Sequence, residues 1–228
     1  MKKLALFILI SFSIGCSDDD SNINGEFVPN AIDIEYLDRI PESLQHDSPF
    51  TYSQIMQISY QMYGFGAFME NQGRTLLNSS NDDYVWSYGD FEVNFSYNLN
   101  GNQYEFLYSI SYQSIPYYTI EGWEMADGSA GAWVANVDFE ALLDGTFSID
   151  YNYSVSWSNS NSGFNYEMSM NYADSVSYLY VLNINSDGSG EFEISYNNNL
   201  MYEAIWNSDG SGQLINHNYD PPVTETWG

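Results

Sequence analysis

The sequence predicts a mainly β fold, α+β in detail: one N-terminal helix packed on a large antiparallel meander sheet of about 11–12 strands. Three observations carry this. Apolar and polar residues alternate over long stretches, aromatic residues make up 18 % of the chain, and clusters of Asn, Asp, Gly and Ser punctuate it at hairpin spacing. Side chains on a strand point to opposite faces with period two, so the alternation yields one apolar and one polar face. Aromatic side chains suit such a pleated, half-buried surface. Short turns make neighbouring strands pair antiparallel. A sheet this large should curl into a half-barrel or sandwich-like form, because a bare edge invites aggregation.

The longest alternation runs from Thr146 to Tyr172. Phe147, Ile149, Tyr151, Tyr153, Val155 and Trp157 share one face, residues 159–163 supply a turn, and Phe164, Tyr166, Met168, Met170 and Tyr172 resume the pattern. Earlier strands fall at 84–88, 91–97 and 104–112, followed by a less regular pair around Trp123 and Trp133. A short connector occupies 139–144. Later strands fall at 176–184, 192–196 and 200–206, with a final pair near Leu214 and Val223. The strand at 176–184 is apolar on both faces, since Leu179 and Val181 lie opposite Tyr178, Tyr180, Leu182 and Ile184. That predicts a cover over its second face, supplied by the curling sheet, a ligand or a partner.

The period changes in residues 51–73. Ile55, Ile58, Met62, Phe65 and Met69 recur at steps of three and four and so share one helical face. Pro49 stands near the start and Gly73 just past the end, the usual places for both residues. Residues 31–40 suit a short helix. The helix and the sheet at 77–228 read as a single domain, 51–228, preceded by a tether and lead-in at 16–50.

Residues 1–15 have the form of a signal peptide, with Lys2 and Lys3 ahead of an apolar run too short to span a bilayer. Ser13-Ile14-Gly15-Cys16 then leads into Ser17-Asp18-Asp19-Asp20. This leader resembles that of surface-exported lipoproteins of the Bacteroidota, although Ser13 stands where the usual box has Leu. The resemblance covers the first 20 residues and implies lipidation of Cys16, with Ser17, Asp18, Asp19 and Asp20 as the export signal. It implies an outer-membrane lipoprotein exposed on the cell surface and attached through its N-terminal lipid. Cys16 is the only cysteine, so no intrachain disulfide forms.

Charge narrows the partners. The chain has 31 acids and 4 bases, a formal net charge of −27. Nucleic acid is excluded, because phosphate contacts need clustered Lys and Arg. Attraction to an anionic lipid surface is disfavoured for the same reason.

Sites are harder to read. Asn183, Asn185, Asp187 and Gly188 match the first half of an EF-hand loop, which makes calcium the one cofactor candidate. Ile194 stands where that loop needs a bidentate Glu, and Asn185–Gly190 recurs as Asn207–Gly212, so a reused turn competes with the calcium reading. Glu121, Glu124, Asp127, Glu191 and Glu193 could supply paired carboxylates, but no spacing singles out two of them. His46 and His217 fit no triad, and no catalytic residue is assigned. Leu179, Val181, Trp123 and Trp133 are the candidate ligand-binding residues.

Three functions fit these features. One is a non-catalytic surface lipoprotein with a structural role or an extracellular or envelope partner. Another is a carrier or sensor of a hydrophobic small molecule held between helix and sheet. The third is a carbohydrate-binding module. In outline, the helix-on-sheet arrangement resembles the periplasmic lipoprotein-carrier fold, without a shared motif.

Overall fold

A computed structural model describes residues 34–58, 83–138, 150–172 and 176–228. Among these residues twelve strands form one antiparallel sheet in sequence order. They are β1 (Asp83–Tyr88), β2 (Phe91–Asn100), β3 (Gln103–Tyr112), β4 (Ile115–Met125), β5 (Ala130–Asp138) and β6 (Asp150–Ser160). There follow β7 (Gly163–Tyr172), β8 (Val176–Asn185), β9 (Gly190–Tyr196), β10 (Asn199–Trp206), β11 (Gly212–Asn216) and β12 (Val223–Trp227). The mainly β meander stands, and the sheet is open, with β1 and β12 as its ends. Leader residues 1–33, including Cys16 and Ser17 to Asp20, lie outside the described residues, as do Phe147, Ile149 and the connector at 139–144.

Residues 49–58 are helical, in keeping with the predicted start, and the remainder of that helix, with Met62, Phe65 and Met69, lies outside the described residues. The lead-in is more ordered than its prolines suggest. Ile34–Arg39 forms a 3-10 helix and Ser43–Asp47 a short α-helix. Tyr36 stacks on Phe164 with ring centroids 3.9 Å apart, and Leu44, Ile55 and Ile58 enter the same buried cluster. Each such aliphatic side chain contributes about 1.5–3 kcal/mol on leaving water. The folded unit therefore begins ahead of residue 51.

Alternation does what period two requires. Phe106, Ile120, Trp133, Ala135, Val155, Met168, Leu182, Phe192 and Ala204 from successive strands all face this cluster. We call it the core face. Its tyrosines carry hydroxyls inward, and desolvation pushes the phenols of Tyr108, Tyr118 and Tyr166 up, with Tyr153 reaching about 12. Three indoles lie across glycines of the neighbouring strand: Trp157 over Gly131, Trp206 over Gly190 and Trp227 over Gly212. A Cβ at any of these glycines would meet the ring, so a small residue beneath a large one keeps the sheet layer flush.

The repeated Asn-Ser-Asp-Gly-Ser-Gly segments fold identically. Asp187 Oδ1 accepts from the N–H and hydroxyl of Ser189 at 3.0 and 2.7 Å, and Asp209 Oδ1 does the same with Ser211 at 2.9 and 2.6 Å. Trp206 Nε1 donates to the Gly188 carbonyl at 2.9 Å and Trp227 Nε1 to that of Gly210 at 2.6 Å. Gly188 and Gly210 have φ of +86° and +85°, which side chains with a Cβ rarely adopt. Beyond conformation, a Cβ on Gly188 would strike the Arg39 carbonyl, and one on Gly210 the Ser43 hydroxyl. The two turns thus form the shelf on which the lead-in docks.

A candidate binding groove on the open face

The opposite face of the sheet is polar, and pairing register decides what meets there. One row runs Asn98, Glu105, Trp123, Ala132, Ser156, Glu167, Val181, Glu193, Glu203 across β2 to β10. The adjacent row runs Ser96, Leu107, Glu121, Val134, Ser154, Ser169, Leu179, Ser195. Small side chains on β5 and β6 (Ala132, Ser154 and Ser156) lie between Glu121 and Trp123 on one flank and Glu167 on the other. The result is an open groove of about 860 Å³. Neighbouring strands lie about 4.8 Å apart, so the flanks at β4 and β7 are roughly 14 Å from each other.

Hydrogen-bonded polar pairs run along the same face of the sheet. Ser154 and Ser169 share a hydroxyl hydrogen bond of 2.7 Å, Asn152 donates to Asn136 at 2.7 Å, and Asn165 donates to Ser158 at 3.3 Å. Trp123 is half-buried in the groove, while Glu105, Glu121 and Glu167 are exposed. An indole face beside fixed hydroxyls and carboxylates can stack on a sugar ring or a cation and accept hydrogen bonds around its rim.

Sequence-predicted candidates divide at this sheet. Trp123 belongs to the groove. Trp133 does not present its ring there: it is 5 % exposed and sits in the core cluster, although its backbone position borders the groove. Leu179 and Val181 lie on the open face, away from the helical layer, and no described element of the chain packs over them. Leu179 is 36 % exposed. Scattered aliphatic residues are tolerated on a solvated sheet face, and Leu107 and Ile205 are exposed in the same way.

The carboxylates are also dispersed. Glu121 faces the groove, Glu124 the core, and Asp127 accepts from the Ser129 N–H in the β4–β5 turn. Glu191 and Glu193 lie on β9 with Glu203 opposite Glu193 on β10, beyond the groove. Burial first, then the charges of Glu191 and Glu203, push the Glu193 carboxyl up. Glu124 is only 4 % exposed, and its Oε2 has no hydrogen-bond partner among the described residues. Desolvation raises it to about 8. The carboxyl held protonated at neutral pH is therefore on the side away from the groove, which separates it from Glu105, Glu121 and Glu167.

The calcium candidate resolves into turn and strand contacts. Asp187 is held below the usual carboxylate range by its bonds to the Ser189 side chain and backbone. Asn185 donates to Ser189 Oγ at 3.0 Å, and Asn183 donates to Glu191 at 2.7 Å. Among the described residues no group of three or more His, Cys, Asp or Glu side chains is placed to hold a metal ion. His46 is exposed in the lead-in helix, and His217 Nε2 lies 3.5 Å from Glu203.

Glu105, Leu107 and Glu167 were not singled out from sequence. Their period-two positions were visible, but their convergence with Trp123 follows only from the pairing register. No family model, curated protein or solved structure matches this chain. Fold and site together describe an open meander sheet with one packed face and one groove-bearing face.

Proposed function

We propose that the protein is a non-catalytic binding lipoprotein, anchored in the outer membrane through Cys16 and exposed at the cell surface, whose groove around Trp123 takes a glycan. The observation that carries the ligand class is Trp123 itself, a half-buried indole on a sheet face where serines, asparagines and glutamates predominate, lining one groove with Ser154 and Ser156. Sugar rings present an apolar C–H face and a hydroxyl edge, so they match an aromatic platform ringed by acceptors and donors. A carrier of apolar molecules between helix and sheet has less support, because Leu179 and Val181 lie on the face away from the helical layer, while Tyr36, Leu44 and Ile55 are buried within that layer.

Retention on immobilised polysaccharides tests the reading. Wild-type protein should be retarded on at least one glycan and Trp123→Ala should elute unretarded. Equal elution of the two on every glycan would remove the groove from the account. Anchoring is tested separately: Cys16→Ser should move the protein from the membrane fraction to the soluble one.

A further inference from the structure

We propose that the groove selects glycans bearing free amino groups, such as chains of unacetylated hexosamine, over neutral and acidic ones. The proposal rests on the glycan reading of the groove and adds its charge selectivity. Three carboxylates line the same cavity as Trp123. Glu105 pairs directly across from Trp123, Glu121 is two residues before it on the same face, and Glu167 stands beyond Ala132 and Ser156. An ammonium on a sugar stacked at Trp123 would lie within reach of both the indole face and a carboxylate, a pairing that neither a hydroxyl nor an N-acetyl group can make.

Among the described residues no Lys or Arg on this face offsets the negative charge. Arg39 is the only Lys or Arg among the described residues, and it lies on the helix side, donating to Asn159 at 3.2 Å. Further along the same face, Glu191, Glu193 and Glu203 extend the acidic field, with His217 next to Glu203. A uronate or sulfated chain would meet like charge along the whole face, whereas a polyamino chain would meet opposite charge wherever it lay.

Calorimetric titration of the full mature lipoprotein in detergent decides the matter, at mildly acid pH where sugar amines are charged. The ligands are a glucosamine oligomer, its N-acetylated counterpart, a galacturonate oligomer and spermine. The variants are Trp123→Ala and the triple change Glu105→Gln, Glu121→Gln, Glu167→Gln, each checked for an unchanged circular dichroism spectrum. The glucosamine oligomer should bind about tenfold or more tighter than the acetylated one, high salt should erase the difference, and the triple variant should lose it. Equal binding of both oligomers to wild type and triple variant would overturn the selectivity while leaving the glycan reading standing. Failure of every oligosaccharide to bind would overturn the glycan reading itself. Spermine binding as tightly as the glucosamine oligomer, without dependence on Trp123, would reduce the site to a diffuse ionic surface and overturn the proposal.

Discussion

The two faces of the sheet are built from the same strands with the same period, yet they obey different rules. On the core face large rings interlock with glycines, and Tyr36 or Trp206 loses nearly all contact with water. On the open face serines, asparagines and glutamates predominate, and aliphatic residues such as Leu107 remain 46 % exposed. Trp123 and Trp133 make the contrast local. Gly122 pairs with Trp133 and Trp123 with Ala132, so two tryptophans on adjacent strands, diagonal in register, face opposite ways. A tryptophan's consequence is set by its parity, not by its identity.

The largest test of this contrast is to remove both rings. Trp133→Ala should destabilise the fold by about 3–5 kcal/mol, as a large-to-small change in a packed core. Trp123→Ala should cost under about 1 kcal/mol. Denaturant unfolding of the two variants measures the difference, and comparable losses would collapse the distinction between faces.

Glu124 is the exception on the core face, and its titration sharpens the comparison. Its carboxyl takes up a proton more readily folded than unfolded, with the folded value near 8 against an ordinary 4.5. The native state therefore binds the extra proton through this interval, and stability should fall as pH rises from about 4.5 to 8, at up to about 1.4 kcal/mol per pH unit. Thermal melts of Glu124→Gln should lack that component. An identical pH dependence in the variant would show that Glu124 is not its source.

The shelf formed by the repeated turns gives a smaller effect. Gly210→Ala should cost about 1–2 kcal/mol from the left-handed backbone alone. It should also displace Ser43, so limited proteolysis should cut the lead-in faster than in wild type, while the sheet stays resistant. The smallest effect belongs to the open face. Glu193→Gln removes like-charge repulsion from Glu191 and Glu203 and should stabilise the fold by about 0.2–0.5 kcal/mol at neutral pH. The advantage should shrink as pH falls and the wild-type carboxyl becomes neutral. Unfolding curves at two pH values check both statements.

Much of this architecture was legible in the chain. Alternation located the strands, and Asn, Asp and Gly located turns such as Asn185–Gly190, because these residues adopt turn conformations that others resist. The site was legible only in part. Trp123 was a candidate, but so were Trp133 and Leu179, and alternation could not separate them. The strand around Trp123 contains a register shift beside Ser111, and Tyr117 there is buried edge-on to Phe91. Such a shift changes which parity faces the core, and no local pattern announces it.

The lead-in was obscured differently. Pro41 and Pro49 read as breaks, while the contacts that order the segment, Tyr36 on Phe164 and Ser43 against Gly210, join residues more than a hundred positions apart. The sequence by itself determined the antiparallel meander, its turns and the excess of acid, because period, turn chemistry and charge are local properties. Tertiary structure alone decided that Glu105, Glu121, Trp123 and Glu167 share one groove and that Glu124 lies beneath it in the core. Those assignments depend on interstrand register, which is settled by the packing of the whole sheet.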